Sequence, residues 1–235
     1  MQNNQTTENF TPFRGLPWFN LIAKSEVTIG GAGGIGSWLT LFLERAGLRV
    51  QLFDFDIVEE RNLGGQLYSK RSVGDFKTSA MQKLIINLVC NSNLAVYTRV
   101  LDSNTTVSGF CFSAFDNMQA RKDMFHAWKR KLSEIPEDKR YTCIFIDGRL
   151  EAEFFQIYCV TASRIAQYEE TLFADSEIAD VACTVKQTSH VAAMIGAFMT
   201  SFFTNHITNI AENMKVREVP FKFEMFLPIL KITES

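Results

Sequence analysis

The sequence predicts an α/β domain: a mostly parallel sheet with helices on both faces and antiparallel strands near the C-terminus. Three observations lead there. A β-type run at residues 26–30 ends in glycines and passes at once into apolar residues at helical spacing. Runs of strand and helix character then alternate as far as residue 146, which favours parallel strands joined by helical crossovers. Two further strand-like runs, at residues 221–226 and 229–232, read as terminal strands.

Each element follows from its own pattern. Ile35, Trp38, Leu39, Phe42, Leu43 and Ala46 make the first helical stripe, and Gly47 is placed to cap it. Residues 50–53 form the second strand, so the first 54 residues read strand, glycine loop, helix, strand, a βαβ unit. Ala80, Met81, Leu84, Ile85 and Leu88 mark a second helix. Residues 94–100 and 110–113 are the third and fourth strands. Met118, Met124, Phe125, Trp128 and Leu132 lie on a third helix, and the charged stretch 129–140, with Pro136, is expected as a surface connection. Residues 142–146 form a fifth strand ending at Asp147 and Gly148, residues 154–160 read as another, and an apolar helix spans about 190–211. Residues 1–15 read as an N-terminal arm, and residues 16–235 as a single domain.

Composition narrows the function. With 46% hydrophobic residues, 21 of them Phe among 235 positions, the chain can bury a sizeable core. A net charge of -2 gives no reason to expect nucleic acid or an anionic membrane as a partner. The longest apolar run, residues 191–203, is shorter than the roughly 20 residues that span a bilayer. Residues 1–9 lack a signal-peptide pattern. Five cysteines without a CxxC pair support neither a disulfide framework nor a zinc knuckle. A soluble cytoplasmic protein is expected.

The chemistry starts at Gly31, Ala32, Gly33, Gly34, Ile35, Gly36 and Ser37. Gly31, Gly33 and Gly36 satisfy G-x-G-x-x-G between a strand and a helix, which makes the expected fold Rossmann-like. The glycines give a tight turn and let a phosphate approach the backbone, while the helix N-terminus offers N–H donors and its positive end. Gly34 belongs to the same cradle. Asp54, at the end of the second strand, stands where an acid accepts hydrogen bonds from ribose hydroxyls. The loop alone does not separate NAD, FAD, SAM and ATP.

Residues 54–68 are more specific. They contain Asp54, Asp56, Val58, Asn62, Leu63 and Gln66 in a D-x-D-x-V-x-x-x-N-L-x-x-Q arrangement, followed by Val73, Gly74 and Lys77. A later strand ends at Asp116 and Asn117, with Arg121 shortly after. Together with the glycine loop, these four motifs in order, over residues 25–125, resemble the MoeB/ThiF/HesA and ubiquitin-activating-enzyme adenylyltransferase superfamily.

That resemblance implies an ATP-dependent adenylyltransferase. It would activate the C-terminal carboxylate of a ubiquitin-like or sulfur-carrier protein, or of a peptide. Asn62 is expected to donate to phosphate oxygens, and Lys77, at a helix start, to place a point charge beside them. Asp116 is expected to hold Mg2+, with Asp56 and Asn117 counted among the nucleotide-binding residues. A homodimer is implied, with Arg14 of the N-terminal arm reaching the neighbouring subunit's site. Cys183, just before the long apolar helix, matches the place where relatives carry a cysteine that takes the activated acyl group or sulfur. The other four cysteines, Cys90, Cys111, Cys143 and Cys159, are expected in the core, and His190 and His206 as satisfied polar residues.

One departure stands out. Gly65 occupies the position of an arginine that contacts the triphosphate in the family; Arg61, Arg14 and Arg149 are candidate substitutes. Two other readings stay open: a nucleotide-binding scaffold subunit of an activating-enzyme dimer, favoured by Gly65, and an NAD-dependent oxidoreductase, which leaves Asn62, Lys77 and Asp116 without roles.

Overall fold

A computed structural model of the chain describes residues 15–22, 25–89, 92–173 and 188–235. Among these, β1 (Glu26–Gly30), β2 (Arg49–Phe53), β3 (Leu94–Tyr97), β4 (Phe110–Ser113), β5 (Ile144–Glu151), β6 (Phe154–Val160), β7 (Lys222–Phe226) and β8 (Lys231–Glu234) form one sheet. Its order is β3-β2-β1-β4-β5-β6-β7-β8. The first five strands pair parallel, with Gly30 level with Phe53 on one side and Ser113 on the other. From β5 onward the pairing is antiparallel. The mostly parallel sheet with antiparallel C-terminal strands is therefore the predicted one.

Helices cover both faces. On one face α2 (Gly34–Arg45) packs against α6 (Ser189–Ala211), with α3 (Lys77–Leu88) beside β3. Gly196 permits the close approach of α2 and α6, since a Cβ there would lie 3.2 Å from the Leu39 backbone nitrogen. The short α1 (Phe19–Ile22) inserts the fully buried Ile22 into this core. The opposite face carries α4 (Met118–Ser133) and α5 (Ile165–Glu169), which enclose Phe125, Trp128, Phe145 and Tyr168 in a separate aromatic cluster. Gly47 ends α2 as expected: at φ +90° its N–H reaches the Glu44 carbonyl, and Leu48 N–H reaches Leu43.

Among the boundaries that differ from the sequence reading, four have a visible cause. The third strand stops at Tyr97, three residues short of prediction, because the chain turns there and Arg99 N–H bonds back to the Tyr97 carbonyl. α4 runs through Ser133, into the stretch expected as a surface connection, since buried Leu132 keeps its last turn on the core. The fifth strand continues past Asp147 and Gly148 to Glu151, because β6 folds back on it as an antiparallel partner. Finally, residues 227–229 form a 3-10 turn with Pro228, and Leu230 is left-handed at φ +51°, so the last strand starts only at Lys231.

No described helix is long and apolar enough to cross a membrane.

Candidate functional site

The parallel strands bring several of the predicted site residues to one edge. β1 leads into the glycine loop, β2 into Asp54, and β4 into Asp116. In the sheet order, β1 sits between β2 and β4. The crossover from β1 runs to β2 on one side, and the chain returns to β4 on the other. The glycine loop therefore lies at the switch point where open α/β sheets bind ligands.

The loop is built for close approach. Gly31 has φ +91°, a conformation that penalises any Cβ, and its N–H bonds to the Phe53 carbonyl at 2.9 Å. A Cβ at Gly36 would run into the Gly31 carbonyl oxygen, and one at Gly30 into the Phe115 ring. Gly33 is different. Nothing lies within 4 Å of where its Cβ would be, and as N-cap of α2 it offers no side chain to the first helical N–H groups. The N–H donors of Gly34, Ile35 and Gly36 thus have no capping side chain, and such groups can bind an anion.

Asp54 braces this loop. One carboxylate oxygen accepts from Ala32 N–H at 2.6 Å and the other from Asp56 N–H at 2.7 Å. Burial pushes its carboxyl up from the ordinary range, and the two backbone bonds only partly oppose this. Each oxygen keeps a second lone pair for a ribose hydroxyl.

Lys77 is the first residue of α3, as expected, and is buried. Its Nζ donates to Asp56 Oδ2 at 2.7 Å and its backbone N–H to the Asp56 carbonyl at 2.8 Å. The Asp56 carboxylate is half exposed, whereas the Lys77 side chain is 9% exposed. The lysine is therefore held ready beside the loop by a partner that water can reach. Asn62 accepts from Glu59 N–H through Oδ1 at 2.8 Å, which directs its Nδ2 donors elsewhere.

Tyr68 and Ser37 tie these pieces together. The Tyr68 hydroxyl donates to the Ala32 carbonyl at 2.6 Å, and Ser37 Oγ accepts from Leu67 N–H at 3.0 Å. Burial, then the negative Asp54 and Asp56, push the Tyr68 phenol well above its usual range, so it stays a donor. Tyr68 ended the motif in the sequence reading but received no role, because an isolated tyrosine after a motif carries no spacing signal. Gly65 is buried, and its carbonyl accepts from Trp38 Nε1 at 3.4 Å.

On the other side, Ala114 N–H bonds to the Gly30 carbonyl at 2.8 Å, which fixes the turn after β4 against the glycine loop. Asp116 is exposed there; Asn117 Nδ2 lies 3.4 Å from its Oδ1. Asn117 caps α4 by accepting from Ala120 N–H at 2.8 Å. A hard cation that keeps its waters and phosphate ligands needs only one or two carboxylates, and exposed Asp116 can supply one.

Of the candidate substitute cations, Arg61 pairs with Glu59 on the surface. Arg149 is engaged instead in a buried cluster with Asp147, so it is not a free cation. Arg14, Cys183 and Cys90 lie outside the described residues. Cys111, Cys143 and Cys159 are buried as expected; burial pushes the Cys159 thiol up to about 12. His206 bonds the Thr142 carbonyl at 2.9 Å and is a satisfied polar residue. A cavity of about 330 Å³ lined by Tyr141, His206 and Asn209 sits at the opposite, N-terminal edge of β5.

Comparison with known proteins bears on the fold and the family. The adenylyltransferase and sulfurtransferase UBA4 of Candida albicans is 33% identical over 85 residues, 35% of this chain and 19% of that protein. Among solved structures, E. coli MccB with ATP superposes with TM-score 0.63 at 15% identity, over 93% of this chain and 66% of that one. E. coli tRNA N6-threonylcarbamoyladenosine dehydratase TcdA, in complex with ATP, gives TM-score 0.64 at 17% identity, over 86% and 93%. PaaA gives 0.65 at 17%, over 93% and 66%. The chain thus spans about a fifth of the curated relative and about two thirds of MccB and PaaA. The ThiF family model matches residues 8–218, nearly the whole chain, and the protein belongs to the ThiF family.

Proposed function

We propose that the protein binds ATP with Mg2+ at the glycine loop and uses it to adenylylate a carboxylate. One observation supports this reading: an uncapped helix N-terminus follows β1 and an exposed aspartate follows β4, its neighbour in the sheet, while buried Lys77 is paired to Asp56 beyond β2. Backbone N–H groups of residues 34–36 and Lys77 would hold the phosphates, and Asp54 the ribose. Asp116 would hold the metal ion, which supplies charge neutralisation as negative charge develops on the phosphates. A substrate carboxylate oxygen attacks the α-phosphorus, the bond to the bridging oxygen breaks, and pyrophosphate leaves. The residues align the two reactants and stabilise charge; no protein group needs to form a bond.

The names of relatives suggest the acceptor. UBA4 is an adenylyltransferase and sulfurtransferase, and MccB has been crystallised with MccA. The acceptor in our reading is the C-terminal carboxylate of a small ubiquitin-like or sulfur-carrier protein, or of a peptide. Cys183 would then take the acyl group from the adenylate as a thioester, releasing AMP. The protein works in this reading as a cytoplasmic homodimer, with Arg14 completing the neighbouring site.

A second reading has its own support. Gly65 lacks the arginine expected to contact the triphosphate, and Asp56 already neutralises Lys77. Both fit a nucleotide-binding scaffold that pairs with an active partner.

Thermal shift with ATP and magnesium, compared with NAD, separates nucleotide classes; stabilisation by NAD alone would defeat the proposal. Radiolabelled pyrophosphate exchange into ATP in the presence of candidate carriers separates enzyme from scaffold. Asp116→Ala is expected to abolish exchange; undiminished exchange in that variant overturns the metal assignment. Cys183→Ala is expected to retain exchange but lose any reducible thioester.

A further inference from the structure

Behind the Asp116 turn lies a buried ionic cluster that the reaction as described does not use. β-strand periodicity puts Phe145, Asp147 and Arg149 of β5 on the face covered by α4 and α5. Asp147 is completely buried. Its Oδ1 accepts from Arg121, and its Oδ2 from Arg149 Nε at 2.7 Å and the Tyr168 hydroxyl at 3.0 Å. Arg121 projects from the first turns of α4, four residues after the Asn117 cap. Besides Asp147, its guanidinium donates to the Gly148 carbonyl at 3.0 Å and to the Phe115 carbonyl.

The last contact gives the cluster a direction. The Phe115 carbonyl belongs to the peptide unit that carries the Asp116 nitrogen, and the peptide is planar. Holding that oxygen fixes the plane from which Asp116 departs. Three bonds then bracket Asp116: Ala114 N–H to Gly30, Phe115 carbonyl to Arg121, and Asn117 Oδ1 to Ala120 N–H. The first and third are made by backbone and cap. Only the second is anchored in the sheet through a side chain. Asp147 is shared between Arg121 and Arg149, and the link from this cluster to Asp116 runs through the Phe115 peptide that Arg121 holds. A planar guanidinium with five donors can bridge two carbonyls and a carboxylate at once; an ammonium cannot do so with the same geometry.

We propose that Arg121, anchored by Asp147, is a positioning residue that sets the Asp116 carboxylate for the metal ion bound with ATP. The inference rests on the nucleotide-binding reading above.

The test is calorimetric titration of the full chain with ATP, with and without magnesium, so that the readout is binding rather than turnover. The magnesium-dependent gain in ATP affinity is measured in wild type, Asp116→Ala, Arg121→Lys, Asp147→Asn and Tyr168→Phe. Arg121→Lys is expected to lower the apparent magnesium affinity by about 10-fold, as for other residues that orient a ligand. Affinity for ATP without magnesium should stay unchanged. Combining Arg121→Lys with Asp116→Ala should lose no more than Asp116→Ala alone. Asp147→Asn should follow Arg121→Lys. Tyr168→Phe loosens the same cluster from its far side and should leave the magnesium gain intact. Equal losses with and without magnesium in Arg121→Lys, or an equal magnesium loss in Tyr168→Phe, would reduce Arg121 to a structural prop and overturn the inference. If Asp116→Ala itself keeps the full magnesium gain, it is the metal assignment that fails; if wild type does not bind ATP, the nucleotide reading fails.

Discussion

Two ion-pair groups flank the glycine loop, and they differ in how water reaches them. On the β2 side, Lys77 is buried while its partner Asp56 is half exposed. On the β4–β5 side, Asp147 has no exposed surface and is shared by Arg121, Arg149 and Tyr168. Burial alone would raise the Asp147 carboxyl, but the two guanidinium groups overturn this and hold it below the usual range. The contrast teaches which group can change partners. A solvated carboxylate can release its lysine to an incoming phosphate at small cost. A desolvated one cannot be parted from its cations, because an uncompensated buried charge is left behind. The first arrangement suits ligand exchange and the second suits holding backbone in place.

Breaking the buried group should have the largest effect. Asp147→Ala is expected to destabilise the fold by about 3–5 kcal/mol, since it strands Arg121 and Arg149. Chemical denaturation measures this; a loss similar to that of an exposed pair would erase the distinction between the two sides.

The glycine loop sharpens the comparison next. Gly36→Ala places a Cβ against the Gly31 carbonyl and is expected to cost about 1–3 kcal/mol of stability. Gly33→Ala enters open space, so its melting temperature should stay close to wild type, yet the added methyl should weaken the shift produced by ATP. A Gly33 variant with a full ATP shift would mean that the phosphates do not sit at this N-terminus.

A smaller effect is expected with pH. The folded Asp147 carboxyl lies below its unfolded value of about 3.9. Its contribution to stability is therefore present above that value and lost as pH falls through the lowered folded one. Asp54, raised by burial, has the opposite slope: its contribution is present below the unfolded value and is lost as pH rises through the raised one. Melting curves between pH 6 and 3 should steepen in wild type relative to Asp147→Asn; parallel curves would contradict this assignment.

The smallest change is expected from Asp56→Asn. With a half-exposed carboxylate, stability should shift by no more than about 1 kcal/mol. ATP affinity should rise, because Lys77 no longer has to leave an anion. Weaker binding, measured by the same calorimetry, would make Asp56 part of the nucleotide site itself rather than a placeholder.

Much of this was legible in advance because it is local. Strand, glycine turn and helix appear consecutively in residues 26–45, and the side-chain periods of 2 and 3.6 distinguish the elements without any distant contact. Lys77 was readable as a helix start, and Asn117 as part of the Asp-Asn pair. The ends of elements were less legible. β5 extends beyond Asp147 because of its partner β6, and no residue within 142–148 announces that pairing. The last strand is displaced by a left-handed Leu230, a conformation that leucine does not advertise.

The sequence by itself determined the βαβ order, the glycine loop, and the identity of the residues brought to the C-terminal edge, since these depend on near neighbours and on chain direction. Only the tertiary structure decided their partners. It gave Lys77 to Asp56, Tyr68 to the Ala32 carbonyl, and Arg121 to Asp147. The reason is physical: whether a charge is free or held depends on burial and on groups 21 to 26 residues away in the chain, as with Arg121 and Tyr168 around Asp147, and no periodicity encodes such meetings.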